Sequence, residues 1–391
     1  MATSTRPLLF THAHIYHDGG DIANGWLLTR DGVIAAFGAD EPAGTVTDAQ
    51  IIDLRGGRLL PGFIDTHVHG GGGADVMDND PLALLTLARY CARHGVTSFL
   101  PTTWSASREA IQTALVRIAA AIGPVDNGAR ILGAHLEGPY LNAEHCGAQD
   151  ASVIRRAGRD EALAFLNSGV IRIVSLAPEF ADNAWLIDEC ARRGIAVSAA
   201  HTDASYDQFV AANRLGLARS THTFNAMRGL HHREPGTLGA VLTLPGIDCE
   251  LIADGIHVHP AAMRLLLTAK GADRIILITD AIRAAGMPDG EYALDTRKIR
   301  VREDSAHLPD GTLAGSVLDM DTALRRFLDA TALALADAWP VTSRNAARSI
   351  GIDAHTGRIA IGMDADLVVL DDELAVNMTV AQGRIVYRRT A

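Results

Sequence analysis

PGFIDTHVHGGG, residues 61–72, is an apolar run that ends in two histidines and a glycine cluster. The run has the length and composition of a buried strand, and in a strand residues i and i+2 face the same side. His67 and His69 therefore point together, with Val68 directed the other way. Downstream the pattern repeats. Apolar strand candidates fall at 62–69, 97–103, 131–137, 171–179, 195–201, 219–225, 249–255 and 274–280. Amphipathic stretches such as PLALLTLARYCARHG (81–95) and ASREAIQTALVRIAAAIG (106–123) separate them. Eight strand–helix units between Pro61 and Ile350 match the arithmetic of an α/β (β/α)8 TIM-like barrel. A doubly wound open sheet is the alternative, but no G-x-G-x-x-G follows the first strand.

The two ends read differently. LLFTHAHIY, GWLLTRDGVIAAFGA and IIDLRG before the barrel are short strands broken by Gly and Asp, and GRIAIGMDADLVVLD and MTVAQGRIVYR after it repeat that style. Both termini are expected to build one small β-sandwich. The expected organisation is 1–60 (first part of the sandwich), 61–350 (barrel) and 351–391 (second part). GADEPAGTVTDAQ (38–50) and GPVDNGARI (123–131) read as loops.

Polar residues fall at the strand ends: His67 and His69 on the first, Glu137 on the third, His201 on the fifth, His222 on the sixth and Asp280 on the eighth. A lone histidine in such a place is ordinarily a satisfied core residue. Several at equivalent positions on separate strands point to the catalytic mouth of a barrel. Four imidazoles and two carboxylates suit zinc and other borderline divalent metals, and they exceed one tetrahedral site. One or two ions fit such a set, with Glu137 as a bridge.

The 391 residues carry 35 basic and 46 acidic groups, a net charge of −11, which argues against nucleic acid or an anionic membrane as partner. No apolar run reaches the ~18 residues that span a bilayer. MATSTRPLLF lacks the features of a signal peptide. Cys91, Cys146, Cys190 and Cys249 form no C-x-x-C pair, so a reducing cytoplasm is the expected compartment.

PGFIDTHVHGGG resembles the first-strand signature of the amidohydrolase superfamily of metal-dependent hydrolases. HLEGPYLN, SAAHTDAS, THTFNAMRGLHHREPG, ADGIHVHP and LITDAI, in that order, resemble its N-acetylglucosamine-6-phosphate deacetylase family. Many binuclear relatives bridge their metals with a carboxylated lysine of the fourth strand. This chain has only Lys270 and Lys298, neither of them there. The resembled family uses the third-strand glutamate, here Glu137.

The resemblance implies hydrolysis of the acetamide of N-acetylglucosamine 6-phosphate to glucosamine 6-phosphate and acetate. It implies Glu137, His201 and His222 as one metal site, and His67, His69 and Asp280 as a second. Zinc is the first choice, with iron, manganese or cobalt as substitutes. A divalent ion lowers the pKa of its water to roughly 7. Asp280 matches the family's general acid–base. Asn225, Ala226, Arg233, His257 and Ala314-Gly315-Ser316 match substrate-contacting positions. Arg233 is a fork that suits phosphate, and in a homodimer it reaches the neighbouring subunit.

Many family members carry G-A-H after the E-G-P element. This chain reads HCGAQD, so Ala148 and Gln149 stand at the sugar-contacting place, with His145 and Cys146 beside them. Two alternatives remain at this stage. One is a deacetylase of another N-acetylhexosamine phosphate or N-acyl amine with the same metal machinery. The other is a non-catalytic relative used for assembly, which would be expected to lose some of these ligands.

Overall fold

The computed structural model describes residues 6–40, 46–295 and 297–390. Of the expected loop 38–50, residues 41–45 lie outside the described residues.

Eight parallel strands form the core: Phe63–Val68, Val96–Thr103, Ala134–Glu137, Ile171–Leu176, Ala196–Ala199, Leu217–Ser220, Asp248–Ile252 and Ile275–Ile278. Each pairs with the next in chain order. A doubly wound sheet reverses its strand order at a switch point, and this one does not. One helix follows each strand: Ala83–Arg93, Arg108–Ala121, Arg159–Leu166, Ala181–Arg192, Tyr206–Leu215, Gly236–Thr243, Pro260–Lys270 and Met320–Thr331. The helices cover the outer face of the sheet, so the first, second and eighth strands are buried at every residue. Apolar side chains from strands and helices merge into one large cluster.

The first and eighth strands also meet. Asp280 N–H donates to the His67 carbonyl at 2.9 Å, His69 N–H to the Ala281 carbonyl at 2.8 Å, and Thr279 Oγ1 to Asp65 Oδ2 at 2.5 Å.

The termini build a single sheet, in the order Arg384–Arg388, Val376–Ala381, Leu367–Leu370, Arg58–Pro61, Leu8–His17, Gly20–Arg30 and Val33–Ala39; Gln50–Asp53 pairs alongside Leu8–His17. It has an apolar cluster of its own around Phe10, Leu27, Leu59, Leu367 and Val380. Arg130 ties this sheet to the core, donating to Asp364 at 2.8 Å and to Asp366 at 2.9 Å.

Three local expectations are corrected. Residues 123–131 are a hairpin, Gly123–Val125 with Gly128–Ile131, turned at Asn127 with φ 55°; its second strand pairs beside Val96–Thr103. Asn tolerates that left-handed turn, and flanking Gly and Pro hid the short strands from the pattern. An antiparallel sheet of Gly290–Leu294, Arg297–Arg302 and Ser305–His307 follows the eighth strand, inside the stretch read only as part of the barrel. The fifth, sixth and eighth strands stop two residues before His201, His222 and Asp280, which were placed on them. Those residues have φ 43°, 29° and 50°, and left-handed backbone cannot continue a strand.

Candidate metal centre

Side chains from five strand ends converge on one point. His67 and His69 leave the first strand on the same face, and Glu137 closes the third. His201, His222 and Asp280 sit just past the fifth, sixth and eighth strands. Their left-handed backbone turns each side chain back over the sheet, a strained conformation of the kind concentrated at functional sites. All six residues are buried.

The contacts resolve into two triangles. His201 Nε2 and His222 Nε2 are 3.2 Å apart, and each lies 3.4 and 3.2 Å, respectively, from Glu137 Oε1. His67 Nε2 and His69 Nε2 are also 3.2 Å apart, with Asp280 Oδ1 at 3.4 and 3.3 Å. Ligands about 2.05 Å from one ion at the tetrahedral angle stand ~3.3 Å from each other, so both triangles have the edge length of a zinc-like site. Glu137 touches both, since its Oε2 lies 3.2 Å from His69 Nε2.

The imidazole tautomers agree. His201 Nδ1 donates to the His145 carbonyl at 2.8 Å, His69 Nδ1 to the Thr102 carbonyl at 3.1 Å, and His67 Nδ1 to Glu250 Oε2 at 3.0 Å. With the proton on Nδ1, the Nε2 lone pair of each neutral ring faces inward, which is the form that binds metal. Two facing lone pairs are held together only by a cation between them, either a proton or a metal ion. The residues thus fit a divalent ion at either triangle.

The electrostatics point the same way. Burial would raise Glu137 and Asp280, but the surrounding imidazoles hold both carboxyls below their ordinary range. Burial would lower His67 and His69, but Glu137 and Asp280 outweigh it and hold both rings above the ordinary imidazole value. The centre therefore attracts positive charge.

The pocket over the centre collects most of the expected substrate positions. Ala148, Gln149, Asn225, Ala226, His257 and Gly315 line it together with Glu137, His201, His222 and Asp280. His257 Nδ1 is pinned by Asp254 at 2.6 Å; burial would lower this ring, and Asp254 raises it above the ordinary value.

Other expected residues lie elsewhere. Ala314 is fully buried, and Ser316 works on backbone: its N–H donates to the Asp280 carbonyl at 2.8 Å and its hydroxyl to the Thr279 carbonyl at 2.5 Å. Neither lines the pocket. His145 faces Asp203 at 3.2 Å and contributes its carbonyl to His201. Cys146 is half-buried on the same loop. Arg233 is exposed, donates to His232 Nε2 at 2.8 Å, and does not reach the pocket of its own chain.

Sequence reading missed two features. Trp104 directly follows the second strand, lines the pocket and stacks on His69 with centroids 3.7 Å apart. Its strand-end position was the available signal. Glu250 and Arg219 lie beneath the centre, 0% and 1% exposed, joined at 2.7 Å. An acid near the start of the strand candidate CELIADG, ahead of the polar strand end at Asp254, was the signal there. Burial would raise Glu250, but His67 and Arg219 hold it far below the carboxylate range.

A parallel eight-stranded α/β core with His and carboxylate clusters able to hold a divalent ion at its strand ends is the arrangement found in metal-dependent hydrolases. The chain belongs to the amidohydrolase family, whose profile matches residues 58–386. Its relatives narrow the class. It is 37% identical over 390 residues to the N-acetylglucosamine-6-phosphate deacetylase of Bacillus subtilis (strain 168), covering 97% of each chain. It is 40% identical over 369 residues to the N-acetylgalactosamine-6-phosphate deacetylase of Escherichia coli O157:H7, covering 92% of this chain and 96% of that one. The crystal structure of N-acetylglucosamine-6-phosphate deacetylase from Thermotoga maritima superposes with a TM-score of 0.88 at 33% identity, over 98% of this chain and 100% of that one.

Proposed function

We propose that the chain hydrolyses the acetamide of N-acetyl-D-glucosamine 6-phosphate, giving glucosamine 6-phosphate and acetate, in amino-sugar catabolism. The observation that carries this reading is the pair of ligand triangles under one pocket, in a chain with near full-length relatives that are amino-sugar phosphate deacetylases. Glu137, His201 and His222 would hold one divalent ion, and His67, His69 and Asp280 a second. Zinc is the first choice, ahead of iron, manganese and cobalt. When bound, such an ion supplies an activated water and polarises the carbonyl under attack. Asp280, facing the pocket, takes the proton from the attacking water and delivers it to the amide nitrogen, which leaves only when protonated. His257, held by Asp254, turns its free Nε2 to the sugar, and Asn225, Ala226, Ala148 and Gly315 shape the cavity.

The eight core strands close into a (β/α)8 barrel through the bonds between residues 67–69 and 280–281. The domains run 1–60 and 351–391 for the terminal unit, a sandwich formed by folding its sheet over its own apolar cluster, and 61–350 for the barrel. Arg233 is exposed and does not line the pocket of its own chain, which fits a homodimer in which it meets the phosphate held by the neighbouring subunit. The protein works in the cytoplasm. A second reading, deacetylation of N-acetylgalactosamine 6-phosphate, is favoured by the 40% identity to the enterobacterial relative of that name.

The test is acetate release from both N-acetylhexosamine 6-phosphates and their unphosphorylated forms, before and after chelation and with metal restored. Full turnover in metal-free protein would end the mechanism. Arg233→Ala should impair only the phosphorylated substrates, and light scattering should report a dimer.

A further inference from the structure

Glu137 divides its two oxygens between different partners. Oε1 faces His201 and His222, whereas Oε2, 3.2 Å from His69 Nε2, accepts a hydrogen bond from the Gln149 amide at 2.6 Å. The other end of that amide is also engaged, since Gln149 Oε1 accepts from Ser105 N–H at 2.8 Å. These bonds set the orientation of the carboxamide, because only nitrogen can donate to a carboxylate and only oxygen can accept from a backbone N–H. Gln149 is 3% exposed and Glu137 2%. Gly138 makes the arrangement possible. Its φ is +77°, and a Cβ there would stand 2.1 Å from Ser105 Oγ. Glycine after Glu137 lets the Ser105 loop close down, and Ser105 in turn holds Gln149 against the carboxylate.

We infer that Gln149 is a positioning residue for Glu137 rather than a sugar contact. Its neutral amide occupies one carboxylate oxygen without cancelling the charge. Glu137 is thereby locked with Oε1 toward His201 and His222, and its full negative charge stays available to an ion there. The sequence reading had given this position to the substrate. Both ends of the amide are instead spent on protein, which leaves only a second N–H and a second lone pair for a ligand. The inference rests on Glu137, His201 and His222 being the metal ligands.

The test is zinc affinity, measured by competition with a chromophoric chelator on protein first stripped of metal. Anomalous scattering from zinc-soaked crystals assigns the site. Gln149→Met keeps the length of the side chain and removes the donor. Gln149→His restores an N–H. The Met variant should bind zinc between Glu137, His201 and His222 about 10–100-fold more weakly, the usual effect of losing a partner that orients a ligand. Its KM, measured when saturated with zinc, should stay near that of the unaltered protein. The His variant should recover part of the affinity. Unchanged zinc affinity in the Met variant, together with a raised KM, would make Gln149 a sugar contact and overturn the inference. Unaltered protein that binds no zinc at this site would instead refute the ligand assignment. Thermal unfolding of both variants separates these results from misfolding.

Discussion

Replacing Glu250 by Gln tests the support beneath the metal centre. Glu250 receives the His67 Nδ1 proton at 3.0 Å and the Arg219 guanidinium at 2.7 Å, while Arg219 also reaches Thr66 Oγ1 at 3.2 Å. Water cannot compensate a change at groups 0% and 1% exposed. Removing one charge of a buried pair costs about 3–5 kcal/mol, because the other is left uncompensated. An exposed pair such as Arg30 with Asp48 is worth about 0–1 kcal/mol. A domain's whole stability is about 5–15 kcal/mol, so Glu250→Gln should remove a large share. A second effect follows from chemistry. If the Gln oxygen stays on Arg219, its NH2 meets the His67 Nδ1–H, donor against donor. His67 then moves its proton to Nε2, and the lone pair of the His67, His69 and Asp280 triangle is lost. The assay is urea unfolding of chelated protein, read as a midpoint shift at unchanged slope, beside zinc content. Arg219→Met in the same chain removes the orphaned cation. The double variant should therefore lose less than the sum of the singles, by at least about 1 kcal/mol. A loss under about 1 kcal/mol for Glu250→Gln, or strict additivity, would refute the reasoning.

Three further outcomes are expected. Asp280→Asn should retain zinc at Glu137, His201 and His222 while turnover falls by at least ~10²-fold, as expected for a general acid–base group; near-normal turnover would move that role to another residue, with His145 the next to test. Gly138→Ala should cost at least ~1 kcal/mol from its left-handed backbone alone, and more from the contact with Ser105, as seen by thermal unfolding. In native protein Cys146 should be the one thiol that reacts quickly with a disulfide reagent, since Cys91, Cys190 and Cys249 are buried and burial raises the thiols of Cys190 and Cys249 to about 12; more than one fast thiol would contradict this packing.

The strand–helix alternation was legible because each parallel strand is buried on both faces and reads as an apolar run. The candidate ligands stood out because they break those runs at equivalent places. Strand ends were overrun at His201, His222 and Asp280, since hydrophobicity does not report the sign of φ. The hairpin at 123–131 and the small sheet at 290–307 were missed for a related reason. Short strands rich in Gly, Pro or charge carry little periodic signal, and they hold their shape by pairing with neighbours.

Local pattern was enough to read the α/β core and the six polar side chains at or just past its strand ends. Each follows from the period of burial or from the position of a polar residue on a single segment. Whether those side chains meet depends on residues up to 213 positions apart, His67 and Asp280, brought within 3.4 Å by the strand order. Tertiary structure alone decided that Gln149 bonds Glu137, that Glu250 and Arg219 lie under His67, that Trp104 lines the pocket, and that Arg233 does not. Hydrogen-bond partners and exposure are properties of packed neighbours, and no segment of sequence records which neighbour it will have.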